Sequence, residues 1–237
     1  MALLQTASLS LTHLAQAPRQ PHSDNSKPPL LVMLHGVGSH EHDLIGLAPY
    51  LDGRFFVVSA RAPLNHGTGG FGWYPVQFTP QGITADETVA KQSRDRILAF
   101  LGEASGAYGT DPARTYLLGF SQGAIMSIYT ALTHPGAVAG IAPMSGRLVP
   151  AALAERADDD ALRGLPVFAV HGLYDQVLPI GQGREIRDAL SRLPLDFTYK
   201  EYPMGHEVSP ESLSDVSTWL TAQLDKTNNG RKINVPD

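Results

Sequence analysis

Gly119-Phe120-Ser121-Gln122-Gly123 directly follows the apolar run Thr115-Tyr116-Leu117-Leu118 and precedes a stretch of small, helix-forming residues. That is the setting of a serine on a sharp strand-to-helix turn, where glycines let backbones approach and the helix directs its amide dipoles at the hydroxyl. Ser121 is the candidate nucleophile. A serine hydroxyl attacks poorly until an imidazole accepts its proton, and histidine titrates close enough to neutrality to take that proton and return it. His206, which follows the run 197–202 through Pro203-Met204-Gly205, is the candidate base. Asp175 follows 167–170 through His171-Gly172-Leu173-Tyr174 and would hold the other ring nitrogen, fixing the tautomer and stabilising the imidazolium. Taken singly, Asp175 could cap the turn over 176–180, and His206 could be a hydrogen-bond donor flanking a helix. Each of those readings weakens because the other residue is present.

Acyl transfer also needs donors aimed at the oxygen that gains negative charge. The Gln122 amide follows the nucleophile, and the turn His35-Gly36-Val37-Gly38 can present the Val37 amide beside it. Neither glycine turn has the lysine and spacing of a phosphate loop. His35, His40 and His42, with Glu41 and Asp43, invite a metal reading, but their order lacks the helical H-E-x-x-H arrangement. No metal and no cofactor is expected. His35 is expected to hydrogen-bond within its loop, and residues 41–43 to place favourable negative charge at a helix start.

In α/β sheets such groups collect on loops beyond the carboxyl ends of strands. Strands are predicted at 30–34, 55–58, 115–118, 138–142, 167–170 and 197–202 from their β-branched and aromatic content. Helical patterns at 85–104, 122–132, 183–193 and 213–224 lie between most of them. Leu9, Leu11 and Leu14 suggest an early strand that pairs with 30–34 as a hairpin across the proline-rich 18–28. The expected fold class is α/β: one α/β-hydrolase domain with a mostly parallel central sheet, helices on both faces and little or no cap. The chain order Ser, Asp, His matches that scaffold. The domain is expected over 1–225, with a polar tail over 226–237.

The chain has 237 residues, a formal charge of −5 and no cysteine. That size suits one core, and the absence of cysteine removes disulfides and thiolate chemistry. With no basic block, nucleic acid is not an expected partner. No run approaches a membrane span and residues 1–17 do not read as a signal, so a cytoplasmic location and no integral membrane segment are expected. Asp158-Asp159-Asp160 reads as a solvated surface run. No feature forces association, which leaves monomer or homodimer.

The chain resembles the compact carboxylesterase and acyl-protein thioesterase family, or phospholipase/carboxylesterase family, of the α/β-hydrolases. The resemblance covers about 29–224 and rests on Leu34-His35-Gly36-Val37-Gly38, the Ser121 pentapeptide, Ala142-Pro143-Met144-Ser145-Gly146, the segment from His171 through Asp175 to Pro179, and Tyr202-Pro203-Met204-Gly205-His206. It implies the same triad, Ser121, Asp175 and His206, and the same oxyanion amides, Val37 and Gln122. It also implies a small-molecule ester or thioester substrate, with the loop 62–75 as pocket wall. Leu64, Phe71, Trp73 and Tyr74 are the pocket candidates there, Trp73 matching a family aromatic beside the site. The segment His66-Gly67-Thr68-Gly69-Gly70 departs from the better-known depalmitoylases, and no long insertion would form a lid or lipid tunnel. A serine carboxylesterase for short to medium acyl esters is therefore the expectation. The alternatives are a lysophospholipase or acyl-thioesterase, and a non-catalytic binding protein on the same fold.

Overall fold

The structure, a computed structural model, describes residues 4, 6–20, 26–67, 69–79 and 82–226. In chain order its strands are β1 (His13–Gln16), β2 (Pro29–Leu34), β3 (Phe56–Ala60), β4 (Leu64–Asn65), β5 (Phe71–Gly72), β6 (Val76–Thr79), β7 (Gly82–Ala85), β8 (Asp111–Phe120), β9 (Gly140–Met144), β10 (Pro166–Gly172) and β11 (Asp196–Tyr202). The helices are α1 (Glu87–Tyr108), α2 (Gln122–Thr133), α3 (Pro150–Ala154), α4 (Asp159–Leu162), α5 (Ile180–Leu190) and α6 (Pro210–Asp225), with 3₁₀ turns at Leu44–Tyr50 and Pro135–Ala137. The central sheet has seven strands in the order β1-β3-β2-β8-β9-β10-β11. Only the β1–β3 pair is antiparallel. This is an α/β-hydrolase fold, and β4–β5 and β6–β7 form two small hairpins between β3 and α1 without a large cap.

Strand alternation builds two cores. Leu30, Val32 and Leu34 of β2 face one side with Leu117 of β8 and Val167 and Ala169 of β10. Leu31 and Met33 face the other with Tyr116, Leu118, Phe168 and Val170. Residues of α1, α2 and α5 cover the first face, while the Leu44–Tyr50 turn and α6 cover the second. Successive strand residues point to opposite faces, so strands clothed on both sides read as continuous apolar runs. Each fully buried aliphatic side chain contributes roughly 1.5–3 kcal/mol relative to exposure.

The predicted opening hairpin does not form. β1 pairs with β3, from His13 opposite Ala60 to Gln16 opposite Val57, and β2 lies between β3 and β8. All six residues of β2 are buried, which suits an interior strand, whereas β1 carries polar residues and takes the sheet edge. The helix predicted from 85 starts at Glu87 because the Asp86 side chain caps the Val89 amide, and it ends beyond 104, at Gly109 in the left-handed conformation. Negative charge stands where expected, Asp43 being the residue that opens the 3₁₀ turn Leu44–Tyr50, but no side chain caps that turn. Glu41 is buried and accepts from Arg61 Nε at 2.6 Å, and Asp43 accepts from the Ser39 hydroxyl at 2.6 Å. The acidic run at 158–160 is at the surface and also starts α4, with Asp158 capping the Ala161 amide. No helix among the described residues is long and apolar enough to cross a membrane. All but the first residue of the predicted polar tail lies outside the described residues.

Candidate active site

Ser121 joins the end of β8 to the start of α2 with φ 54° and ψ −116°. A non-glycine residue at such angles stores strain of order 1–3 kcal/mol, which surrounding structure must hold. Here the contacts are tight. A Cβ on Gly119 would lie 2.3 Å from the Gly123 carbonyl oxygen, and one on Gly123 would lie 1.9 Å from the Leu34 carbonyl oxygen. Both positions therefore require glycine. The Ser121 amide donates to the Met144 carbonyl at 2.9 Å, tying the turn to β9.

Three loops converge on the hydroxyl. His206 Nε2 lies 2.9 Å from Ser121 Oγ, and His206 Nδ1 lies 2.7 Å from Asp175 Oδ2. The other carboxylate oxygen of Asp175 accepts from the Val177 and Leu178 amides, each at 2.8 Å. Asp175 thus caps its turn and faces His206 at once. Its side chain is wholly buried, while that of His206 is 16 % exposed. Phe120 flanks the imidazole, ring centroids 4.9 Å apart.

The turn after β2 lies against this centre: a Cβ on Gly36 would sit 3.2 Å from Ser121 Cβ. Val37 and Gln122 both line the cleft that holds Ser121. The Gln122 amide opens α2, where a backbone N–H has no intrahelical acceptor. The Val37 N–H makes no backbone hydrogen bond among the described residues. The turn is braced from outside, since Gly38 N donates to Phe71 O and Phe71 N to Ser39 O, both at 2.8 Å. His35 is buried and bonds entirely to backbone, Nδ1 at 2.7 Å from Gly36 O and Nε2 at 3.0 Å from the Ala62 amide. Because Nε2 must accept from Ala62, the ring is neutral with its proton on Nδ1. Burial lowers its pKa, with the Gly36 carbonyl working the other way.

The cleft holds about 350 Å³ of non-protein space, open solvent at its mouth included, and its apolar wall is Val37, Val76, Ile125, Val177 and Leu178. Of the four pocket candidates, Tyr74 lines it; Leu64, Phe71 and Trp73 are not among its lining residues. Trp73 is fully buried, donating from Nε1 to His35 O at 3.0 Å, and Phe71 packs beneath the Arg61 guanidinium. Arg147 also reaches the cleft, three residues beyond the end of β9. Sequence reasoning passed over it, although the search for polar residues beyond strand ends would have included it. His171 was likewise overlooked: buried behind Asp175, it lies 2.8 Å from Leu178 O and 3.6 Å from Asp175 Oδ2. Among the described residues no group of three or more His, Asp or Glu side chains is arranged to hold a metal ion.

A doubly covered parallel sheet with a serine on the strand-to-helix turn defines the α/β-hydrolase class. Residues 16–224 match the Phospholipase/Carboxylesterase family model, and the chain belongs to that family. Acyl-protein thioesterase 1 of Gibberella zeae is 37 % identical over 126 residues, covering 51 % of this chain and 52 % of that protein. A probable carboxylesterase of rice is 27 % identical over 68 % of this chain and 61 % of its own length, so these two matches span only part of each relative. Acyl-protein thioesterase 1 of Eremothecium gossypii is 27 % identical over 82 % of this chain and 87 % of that protein. The crystal structure of esterase PE8 superposes with a TM-score of 0.76 at 28 % identity, covering 91 % of this chain and 99 % of that one. A carboxylesterase from Mesorhizobium loti shares the fold at TM-score 0.76 and 22 % identity, covering 92 % and 98 %.

Proposed function

We propose that this chain is a serine carboxylesterase that hydrolyses short to medium acyl esters through an acyl-enzyme on Ser121. The observation that carries the reading is the unbroken hydrogen-bond chain from Ser121 Oγ through His206 to Asp175, ending on a serine at positive φ. Ser121 Oγ attacks the carbonyl carbon while its proton passes to His206 Nε2, and the Val37 and Gln122 amides receive the oxyanion. Collapse breaks the bond to the alcohol, which leaves with the proton from His206. Water then loses a proton to His206, attacks the acyl carbon and releases the acid, and Ser121 regains its hydrogen. Protein groups and water handle every proton and electron pair in this sequence. Asp175 holds Nδ1–H and offsets the imidazolium charge, and its bonds to two backbone amides keep it in place. The modest cleft favours short acyl groups over a fully enclosed lipid chain.

Thioesters are the second substrate class, because they pass through the same acyl-enzyme and because several relatives carry the name acyl-protein thioesterase 1. The test is hydrolysis of p-nitrophenyl esters from acetyl to palmitoyl by the chain and by Ser121→Ala, followed by thioester and lysophospholipid counterparts at the best length. A Ser121-dependent optimum at short or medium length is expected. An optimum at palmitoyl with lysophospholipid turnover would shift the reading to a lipid hydrolase. Folded protein that turns over no ester and leaves a fluorophosphonate unreacted at Ser121 would make it a binding protein.

A further inference from the structure

Seven of the described arginines pair with carboxylates. Arg94 pairs with Asp95 at 2.7 Å and Glu155 at 3.0 Å, Arg61 binds Glu41, and Arg54 lies 2.7 Å from both Asp52 and Asp225. Arg147 differs. Its Nη1 donates to the carbonyl of its neighbour Leu148 at 3.3 Å, while its Nη2 is buried without a hydrogen-bond partner. No ion pair to it forms among the described residues, and it lines the same cleft as Ser121.

The backbone directs it there. Ser145 has φ 50° and gives its amide to Val170 O at 2.9 Å, which turns the chain sharply at the end of β9. Gly146 follows, packed so closely on the first turn of α2 that a Cβ would lie 2.9 Å from Ala124 Cβ. Arg147 therefore emerges over the start of the helix that follows Ser121. Beside it is Tyr74, 1 % exposed, whose buried hydroxyl has the Arg147 guanidinium as its near neighbour and no other partner. Burial pushes that phenol up to about 12, while the Arg147 charge and hydrogen bond pull the other way, so at neutral pH Tyr74 keeps its O–H.

A guanidinium with no carboxylate partner among the described residues, and the phenol beside it, thus stand in the wall of a small apolar cleft. A buried donor whose hydrogen-bonding capacity is unmet is costly, more so when it is charged, and an incoming acceptor recovers that loss. A guanidinium fork matches a carboxylate in shape and charge, and the hydroxyl adds a third bond. No carboxylate is among the residues that line the cleft.

We propose that Arg147 and Tyr74 form an anion subsite in this cleft and that the preferred substrates are esters or thioesters carrying a carboxylate. The specificity rests on the hydrolase reading above; the anion site itself does not. The carboxylate belongs to either the acyl half or the alcohol half, and the substrates below separate the two.

The experiment compares kcat/KM for two matched pairs that differ only in charge: monoethyl glutarate against ethyl 4-carbamoylbutanoate, and 3-acetoxypropanoate against 3-acetoxypropanamide. The chain is expected to prefer the carboxylate member of one pair by about tenfold or more, mostly through KM. Arg147→Gln and Arg147→Met should bring that ratio close to one, Arg147→Lys should keep part of it, and Tyr74→Phe should lower it a few-fold. The ratio cancels any loss of active protein, because both esters meet the same population of sites. A ratio near one in the unaltered chain, or one that Arg147→Gln leaves intact, overturns the proposal while the esterase reading stands. If no ester of any charge is hydrolysed, calorimetry of glutarate with Ser121→Ala decides instead. Binding that disappears in Ser121→Ala/Arg147→Gln supports the subsite, and absence of binding in Ser121→Ala overturns it.

Discussion

Gln122 holds the backbone of the pocket wall with both ends of its carboxamide, accepting from the Trp73 amide at 2.7 Å and donating to the Tyr74 carbonyl at 2.8 Å. The residue after the candidate nucleophile thereby locks the stretch that carries Tyr74 onto α2. Trp73 Nε1 carries the connection on to His35 O, at the base of the Val37 turn. The Ser121 turn, the Val37 turn and the stretch 73–74 are coupled through buried polar bonds, and such networks are costly when only partly satisfied.

Gln122→Ala leaves two buried backbone groups unpaired and is expected to lose roughly 2–4 kcal/mol of stability. Urea denaturation measures it. The variant keeps its main-chain amide, so residual ester hydrolysis should exceed that of Ser121→Ala. A loss below about 0.5 kcal/mol would mean that water replaces the carboxamide.

Asp175 separates catalysis from stability. In Asp175→Asn the side-chain oxygen can still accept from Val177 and Leu178, but the amide NH₂ faces His206 Nδ1 and drives the ring proton to Nε2, toward Ser121. The expected fall in kcat is about 10³–10⁴-fold, with stability within about 1 kcal/mol of the unaltered chain. Asp175→Ala should lose the turn cap as well, a further drop of about 1–2 kcal/mol. Paired kinetics and unfolding curves check both. Equal kcat in Asp175→Asn and the unaltered chain would remove Asp175 from the mechanism.

His35 predicts an acid sensitivity. Burial lowers its pKa in the folded state below 6.5, so the unfolded chain binds a proton first as pH falls. Its contribution is fully present above about 6.5 and declines below that value, by up to about 1.4 kcal/mol per pH unit until the folded pKa is reached. Unfolding free energies between pH 7.5 and 5.5 should show a shallower slope in His35→Gln. Nitrogen NMR should find the folded ring neutral, with its proton on Nδ1, at pH 6.

Gly123→Ala tests how tightly the nucleophile turn is packed. Its Cβ would meet the Leu34 carbonyl at 1.9 Å, a clash with backbone that no rotamer relieves. A destabilisation above about 3 kcal/mol, or failure to recover folded chain, is expected from circular dichroism and thermal unfolding. An unchanged melting temperature would show that β2 and α2 can separate without cost.

Much of the scaffold was legible because interior strands of a parallel sheet are apolar throughout. The runs at 115–118 and 167–170 lie inside β8 and β10, whose other residues are less uniformly apolar. The early strand was harder. Apolar leucines at 9, 11 and 14 promise a strand, but partner choice depends on which edge is free, and β3 supplied it instead of β2. The β4–β5 hairpin fell within the expected pocket-wall loop 62–75 and the β6–β7 hairpin was not anticipated, because short strands there have little periodicity to reveal them.

By itself the sequence determined the α/β-hydrolase scaffold and the candidate residues for its chemistry, since a nucleophile turn demands small neighbours at set spacings and the chain order of Ser121, Asp175 and His206 suits one scaffold. The helices α1, α2, α5 and α6 were also legible in it, because their periodicity is local. Only the tertiary structure decided that Trp73 is scaffold while Tyr74 lines the cleft, that both oxygens of Asp175 are in use, and that Arg147 stands without a counter-charge. Such facts depend on which groups from distant segments share a desolvated space, and hydrogen-bond satisfaction across that space is not written in any local pattern.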